Sequence, residues 1–266
     1  MKKTILTLAL LLAVSALIYA GPEAISGKEM KQVAPVPPPC PTWGGFYVGG
    51  FGGYKFASVN QTLDLGSTWD TLSTTERDVV EPEGSRDLDT SGAELGGLVG
   101  YNFQWNRWVF GLEADGGYLW LRDSTERNFD TNGSNPVYEL DSSFKTRYLF
   151  TFAPRVGYTF CKWMPYVTGG LAVGDIDYSQ EIINQTLSPH FFEGGSSSET
   201  RAGWMVGGGL EYALTDHWRL RGQYQYIDLG STSFDSSTDL SGFTYTGHHE
   251  VEVHEHNASF AVMFRF

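Results

Sequence analysis

Along most of the chain apolar and polar residues alternate one by one, the two-residue period of a strand whose faces meet different surroundings. Residues 257–266 show it most plainly. Ala258, Phe260, Val262, Phe264 and Phe266 share one face; Asn257, Ser259, Ala261, Met263 and Arg265 share the other. Residues 92–105 set Leu95, Val99, Tyr101, Phe103 and Trp105 against Glu94, Gly96, Gly100 and Asn102. In 107–121, Trp108, Phe110, Leu112, Tyr118 and Trp120 oppose Glu113 and Asp115. In 144–160, Tyr148, Phe150, Phe152, Val156 and Phe160 oppose Arg147, Thr151 and Arg155, with Pro154 as a local interruption. Residues 165–175, 201–212 and 218–228 repeat the arrangement, and 43–56 forms a further strand whose glycines blur its faces. The pattern predicts eight strands.

Their connections alternate in length. Turns near Asn106, Lys162 and Asp216 are short, whereas 57–91, 122–143, 175–200 and 228–250 are long and polar. A soluble barrel would turn its apolar face inward and coat itself with charge. Here the dense aromatic face lies opposite the face that carries glycine and charge, and small or charged residues suit the narrow lumen of eight strands. Trp105, Trp108, Trp163 and Trp218 gather at the short turns, as a membrane-interface girdle does. The fold expected is all-β: an eight-stranded antiparallel up-and-down transmembrane β-barrel with short periplasmic turns and long extracellular loops.

Composition narrows the function. Aromatics make up 15% of the 266 residues, glycines number 32, and Lys+Arg only 18. A net charge of -13 excludes a nucleic-acid binder, which needs a basic face for phosphate. Residues 1–20 read as a secretory signal, with Lys2 and Lys3 before an apolar run. Residues 21–42, rich in proline, read as an extended periplasmic segment, and 43–266 as the barrel. Beyond the signal no apolar run reaches the roughly 18 residues of a membrane helix.

The stretches WGGFYVGG (43–50), PRVGYTF (154–160), PYVTGGLAVG (165–174), GWMVGGGLEYALTDHWRLRGQYQYID (203–228) and the closing FRF resemble the eight-stranded outer-membrane β-barrel family of the OmpA-type transmembrane fold, in its porin-like surface-antigen branch. The resemblance implies the outer membrane of a Gram-negative-type bacterium, with its lipids and lipopolysaccharide as surroundings. It also implies delivery by the barrel-assembly machinery through the last strand, with Phe260, Val262, Phe264 and Phe266 as the signal. The role expected is structural or that of a surface antigen. The alternatives are a narrow porin and an adhesin that binds an extracellular partner through its loops.

Candidate chemistry lies on the inner face. Lys55, Glu94, Glu113, Asp115, Arg147, Arg155, Glu211, Arg221 and Arg265 supply both signs of charge, and buried charges persist when paired. They are expected to form a salt-bridge network filling the lumen, with a selective pore as the other reading. The acidic long stretches read as solvated surface, or as divalent-cation contacts at lipopolysaccharide. In the run His248–His256 the side chains of Glu252, His254 and His256 share the outward face, so neither a metal site nor a cofactor is expected. His256 and Ser259 fall on opposite faces, and no catalytic residue is assigned. Cys40 and Cys161 both lie at the periplasmic end, and a disulfide between them would close a loop of about 120 residues.

Overall fold

All eight strands form, and each runs well past the stretch of aromatic alternation. The computed structural model describes residues 40–71, 76–85, 87–129, 138–184, 191–240 and 242–266. The expected signal and most of the proline-rich segment lie outside these residues. The strands are β1 (Gly45–Leu65), β2 (Leu88–Trp105), β3 (Trp108–Phe129), β4 (Tyr138–Tyr158), β5 (Trp163–Asn184), β6 (Phe191–Ala213), β7 (Trp218–Leu240) and β8 (Phe243–Arg265). A 3-10 helix (Ser67–Thr71) and helix α1 (Glu76–Gly84) lie between β1 and β2. Each strand pairs antiparallel with its sequence neighbour, and β8 closes the ring on β1.

Most of the length expected as loop is therefore strand. An apolar band about 25 Å tall takes roughly 10 tilted residues, so strands such as β8, with 23 residues, stand far above it. Two things hid this in the alternation. First, the faces exchange chemistry. Low on β1, Phe46, Val48, Tyr54 and Phe56 point out while Lys55 points in; higher up, Val59, Leu63 and Leu65 point in while Asp64 points out. Second, the register shifts in β3–β4 between Tyr118 and Leu121, in β4–β5 between Lys145 and Leu149, and in β7–β8 between Asp228 and Ser231. An extra residue in one strand of a pair reverses the faces beyond it.

Above these bulges the ring opens into two sheets. The β2–β3 ladder starts only at Glu94↔Leu119 and the β6–β7 ladder stops at Trp204↔Asp228. The other ladders continue, to Phe129↔Tyr138 in β3–β4 and Leu65↔Gly247 in β1–β8. Sheet β3–β4–β5–β6 thus faces sheet β7–β8–β1–β2 in the manner of a sandwich. Phe144, Ile176 and Tyr178 of one pack with Val59, Leu229, Val251 and Val253 of the other. A second apolar cluster above holds Leu63, Leu65, Tyr138, Leu140, Ile182 and Tyr245, covered by Trp69 of the 3-10 helix and Val80 of α1. Between the two clusters lies a polar shelf. In it Tyr178 donates to Gln61 Oε1 at 3.1 Å and His249 Nδ1 meets Gln180 Oε1 at 2.8 Å.

Removing a buried ring from this interior should loosen the upper tier alone. Phe144→Ala should cost about 3–5 kcal/mol there, read as faster protease cleavage of the extracellular strands while the folded barrel keeps its heat-modifiable gel mobility. Unchanged cleavage would show that the apolar interior does not hold the two sheets together.

Candidate functional site

The membrane-level lumen is built by side chains from six strands that meet at one height. Glu113 (β3) accepts from Arg221 Nη1 and Nη2 (β7) at 2.7 and 2.5 Å, from Arg155 Nη1 (β4) at 3.0 Å, and from Tyr47 Oη (β1) at 2.5 Å. Glu211 (β6) accepts from Arg155 Nη2 and from Arg221 Nε at 3.1 Å. Two acids and two guanidinium groups so alternate in a closed four-membered ring. The Tyr166 ring (β5) lies 4.3 Å from the Arg155 guanidinium and 5.3 Å from that of Arg221. Side-chain exposure is 1% for Arg155 and Glu211, 2% for Arg221 and 9% for Glu113, so three members are almost wholly buried and only Glu113 keeps a small exposed edge. Its long side chains fit because inward glycines leave room. A Cβ at Gly100 would strike the Tyr47 hydroxyl, at Gly209 the Tyr166 ring, and at Gly111 the Arg155 stem.

A second polar layer lies nearer the outer surface. Lys55 Nζ is 3.0 Å from Glu255 and 3.8 Å from Glu94, and Asn257 Nδ2 donates to Glu94 Oε2 at 2.8 Å. Between the layers Asp115 accepts from Thr151 Oγ1 at 2.5 Å and borders a cavity of about 10 Å³ beside Phe51, Leu98 and Gln225. That is room for about one water. At the base Trp43 is fully buried, its indole donating to the Cys161 carbonyl at 3.1 Å, with the Arg219 guanidinium 4.4 Å from its ring. Cys40 and Cys161 are joined as a disulfide with a sequence separation of 121, which holds the segment before β1 across the mouth.

Two of the expected lumen charges lie elsewhere. Arg147 is on the outer surface. It sits in the β4 bulge, where Asp175 Oδ1 accepts from the amides of Arg147 and Tyr148 at 3.0 and 2.6 Å, and its guanidinium reaches Asp175 and Asp177. Simple alternation carried it inward because the bulge is silent in the sequence. Arg265 keeps inward parity but ends at the periplasmic rim, donating to the backbone carbonyls of Gly44 and Asp216 rather than to an acid. Lys55, Glu94, Glu113, Asp115, Arg155, Glu211 and Arg221 lie within the lumen. Sequence reasoning missed Glu255, although counting back by twos from the inward-parity Arg265 lands on it. It also missed Tyr47, Tyr166 and Arg219 as partners. On the lipid side Phe260, Val262, Phe264 and Phe266 form one row along β8; Phe260, Val262 and Phe266 are exposed, and Phe264 is half-buried against Trp218.

A family model described as outer membrane protein beta-barrel domain matches residues 6–266. The chain belongs to that family. It is similar to the 31 kDa outer-membrane immunogenic protein of Brucella melitensis biotype 1, 31% identical over 229 residues that cover 83% of this chain and 86% of that one. It is 30% identical over 206 residues to the 22 kDa outer membrane protein of Rhizobium leguminosarum bv. viciae, covering 77% and 72%. The solved structure of the outer membrane protein OprG from Pseudomonas aeruginosa aligns over 84% of this chain and 97% of that one, with 12% identity and a TM-score of 0.42. The protein is an integral outer-membrane β-barrel.

The lumen ring should be costly to open. Glu113→Ala leaves two guanidinium groups to one acid and should lower stability by about 3–5 kcal/mol, measured by thermal unfolding of the folded protein in detergent; unchanged unfolding would mean that water screens the ring. Above the membrane the His248 imidazole, 2.7 Å from Asp235 Oδ1, has its pKa raised, chiefly by that hydrogen bond. A raised value means that the contact stabilises fully below the ordinary histidine pKa of about 6.5 and fades as pH rises through the folded value. An NMR titration should show His248 charging at a higher pH than an unpaired histidine, and Asp235→Asn should bring it back down.

Proposed function

We propose that this barrel is a non-conducting, non-catalytic structural protein of the envelope that also displays an antigenic surface. The observation that carries this reading is the filling of its interior from end to end. Trp43 and Arg219 occupy the base, the Arg–Glu ring the middle, the Lys55 layer the upper membrane, and two apolar clusters the tier above. Eight strands enclose a space only just wide enough for such side chains, and the ring's ion pairs leave little reason for water to enter. The described Ser–His contact, Ser236 Oγ to His249 Nε2 at 3.0 Å, is buried under Phe234 with its imidazole 1% exposed. That placement gives a substrate no access. The immunogenic naming of the Brucella relative supports display of the outer tier to the surroundings.

Two partners follow from this reading. The outward row Phe260, Val262, Phe264 and Phe266 on β8 suits recognition by the assembly machinery, since it is the strand that must meet β1 to close the ring. At the upper membrane edge, Arg147 beside the aromatic row of Tyr118 and Tyr148 suits contact with lipopolysaccharide phosphate, and the neighbouring acids suit the divalent cations that bridge it. Planar-bilayer recording tests the central claim. The unmodified protein should give negligible current, and Arg155→Ala a small leak together with a lower unfolding temperature. Large, steady, ion-selective currents from the unmodified protein would overturn the reading in favour of a narrow porin.

A further inference from the structure

The two extracellular sheets meet the membrane surface with different chemistry. Neither Lys nor Arg occurs in 57–65, 88–93, 228–240 or 243–256, the upper lengths of β1, β2, β7 and β8. On the facing sheet three cations share the outer face just above the upper aromatic row: Arg122 of β3, and Lys145 and Arg147 of β4. The Tyr118 ring lies 4.9 Å from Trp120 and 5.3 Å from Tyr148, and such aromatics mark the boundary between lipid and water. Arg122 stands two residues beyond Trp120, roughly 7 Å along the strand.

Arg147 is already engaged. Its guanidinium holds Asp175 Oδ2 and Asp177 Oδ2. Asp175 Oδ1 accepts from the amides of Arg147 and Tyr148, and Asp177 Oδ1 from Ser198 Oγ. All four carboxylate oxygens of these two acids are therefore occupied. Arg122 and Lys145 differ. They lie directly opposite each other in the β3–β4 register, and both are exposed. Asp177 is the partner of Lys145 across β4–β5, yet its oxygens are turned to Arg147 and Ser198. Asp123, next to Arg122, pairs with the inward-facing Phe144. Among the described residues no acid forms an ion pair with Arg122 or Lys145. Like charges directly opposite across two strands destabilise a sheet, so this pair calls for an anion from outside the chain.

The surroundings select which anion. The next row away from the membrane is Ser124↔Ser143, two exposed hydroxyls, with Ser143 Oγ 2.8 Å from Ser179 Oγ. Beyond it Glu126, Asp141 and Glu181 align across β3, β4 and β5. Those acids repel a polyanion lying along the sheet, while the aromatic row below sets the two cations at headgroup height, where long basic side chains place their charged ends. Guanidinium and ammonium groups form strong charge-assisted hydrogen bonds to phosphate. We propose that Arg122 and Lys145, with the hydroxyls of Ser124 and Ser143, clasp the phosphate monoester of an outer-leaflet lipid headgroup directly, without a bridging divalent cation. The inference rests on the lipopolysaccharide contact proposed above and assigns it to the two cations that no protein acid occupies.

The test uses the full-length folded protein in detergent micelles containing EDTA, with lipid retention read by native mass spectrometry. The probes are lipid A with its phosphates, the same lipid A after phosphatase treatment, and inorganic phosphate. Lipid A should be retained, its dephosphorylated form at least about tenfold more weakly, and equimolar inorganic phosphate should not displace it. Arg122→Gln combined with Lys145→Gln should weaken retention by at least about tenfold while the heat-modifiable band shows the barrel intact; Arg122→Gln alone serves if the pair fails to fold. Arg107→Gln with Lys162→Gln, which removes the same charge from the periplasmic turns, should leave retention unchanged. Retention that disappears with EDTA would place the phosphate on a divalent bridge to the acids, overturning this site while leaving lipopolysaccharide as a partner. Equal retention of the two lipids, or no effect of the paired glutamines, would overturn the site as well. Displacement by equimolar inorganic phosphate would overturn its assignment to a lipid, and retention of neither lipid with or without EDTA would remove both readings.

Discussion

Each strand of this protein passes through two solvents, and that constraint shapes everything else. Below the upper aromatic row the outward face meets lipid and must be apolar, leaving the inside for charge and glycine. Above it the outward face meets water, so the apolar side chains must turn inward. One continuous strand satisfies both only by exchanging the chemistry of its faces part-way along. The register shifts at Tyr118–Leu121, Lys145–Leu149 and Asp228–Ser231 sit close to that exchange. There the wall also stops being a closed cylinder. A hydrophobic interior needs two facing sheets that can approach each other, whereas a charged lumen needs a ring held open at fixed radius.

The lumen obeys the same logic at shorter range. Glu211, Arg155 and Arg221 are almost wholly buried and Glu113 nearly so, and each persists as an ion because two opposite charges touch it. The arrangement couples β3, β4, β6 and β7 across the centre, in a fold whose backbone bonds link only neighbours. Tyr47 and Tyr166 extend the coupling to β1 and β5. Glycines at 100, 111 and 209 on the same inner face are the steric counterpart of those long side chains.

The membrane barrel was legible because its alternation is strong and its outward aromatics are many. Parity alone placed Glu113, Arg155, Glu211 and Arg221 on one face, and it would have placed Glu255 there had the count from Arg265 been carried further. Parity failed where a single inserted residue reversed it, as at Arg147. At 57–65 and 243–256 parity holds, but Asn-Gln-Thr-Leu-Asp-Leu and Glu-Val-Glu-Val-His-Glu-His alternate with the chemistry of the two faces exchanged. Read with one fixed rule, apolar outward, such segments looked like polar loop. Pairwise facts such as the Arg219–Trp43 contact, 176 residues apart, have no local signature at all.

Among the described residues, the surface that this protein turns to its surroundings is largely ruled by strands. Ser58 lies beside His254 and Asn60 beside Glu252, residues that neighbour each other in space while most of the polypeptide runs between them. Whatever recognises that surface reads a mosaic assembled by the fold. Short peptides cut from the sequence would carry the right letters without the pattern, and a denatured sample would present the words in an order that nothing outside the cell ever meets.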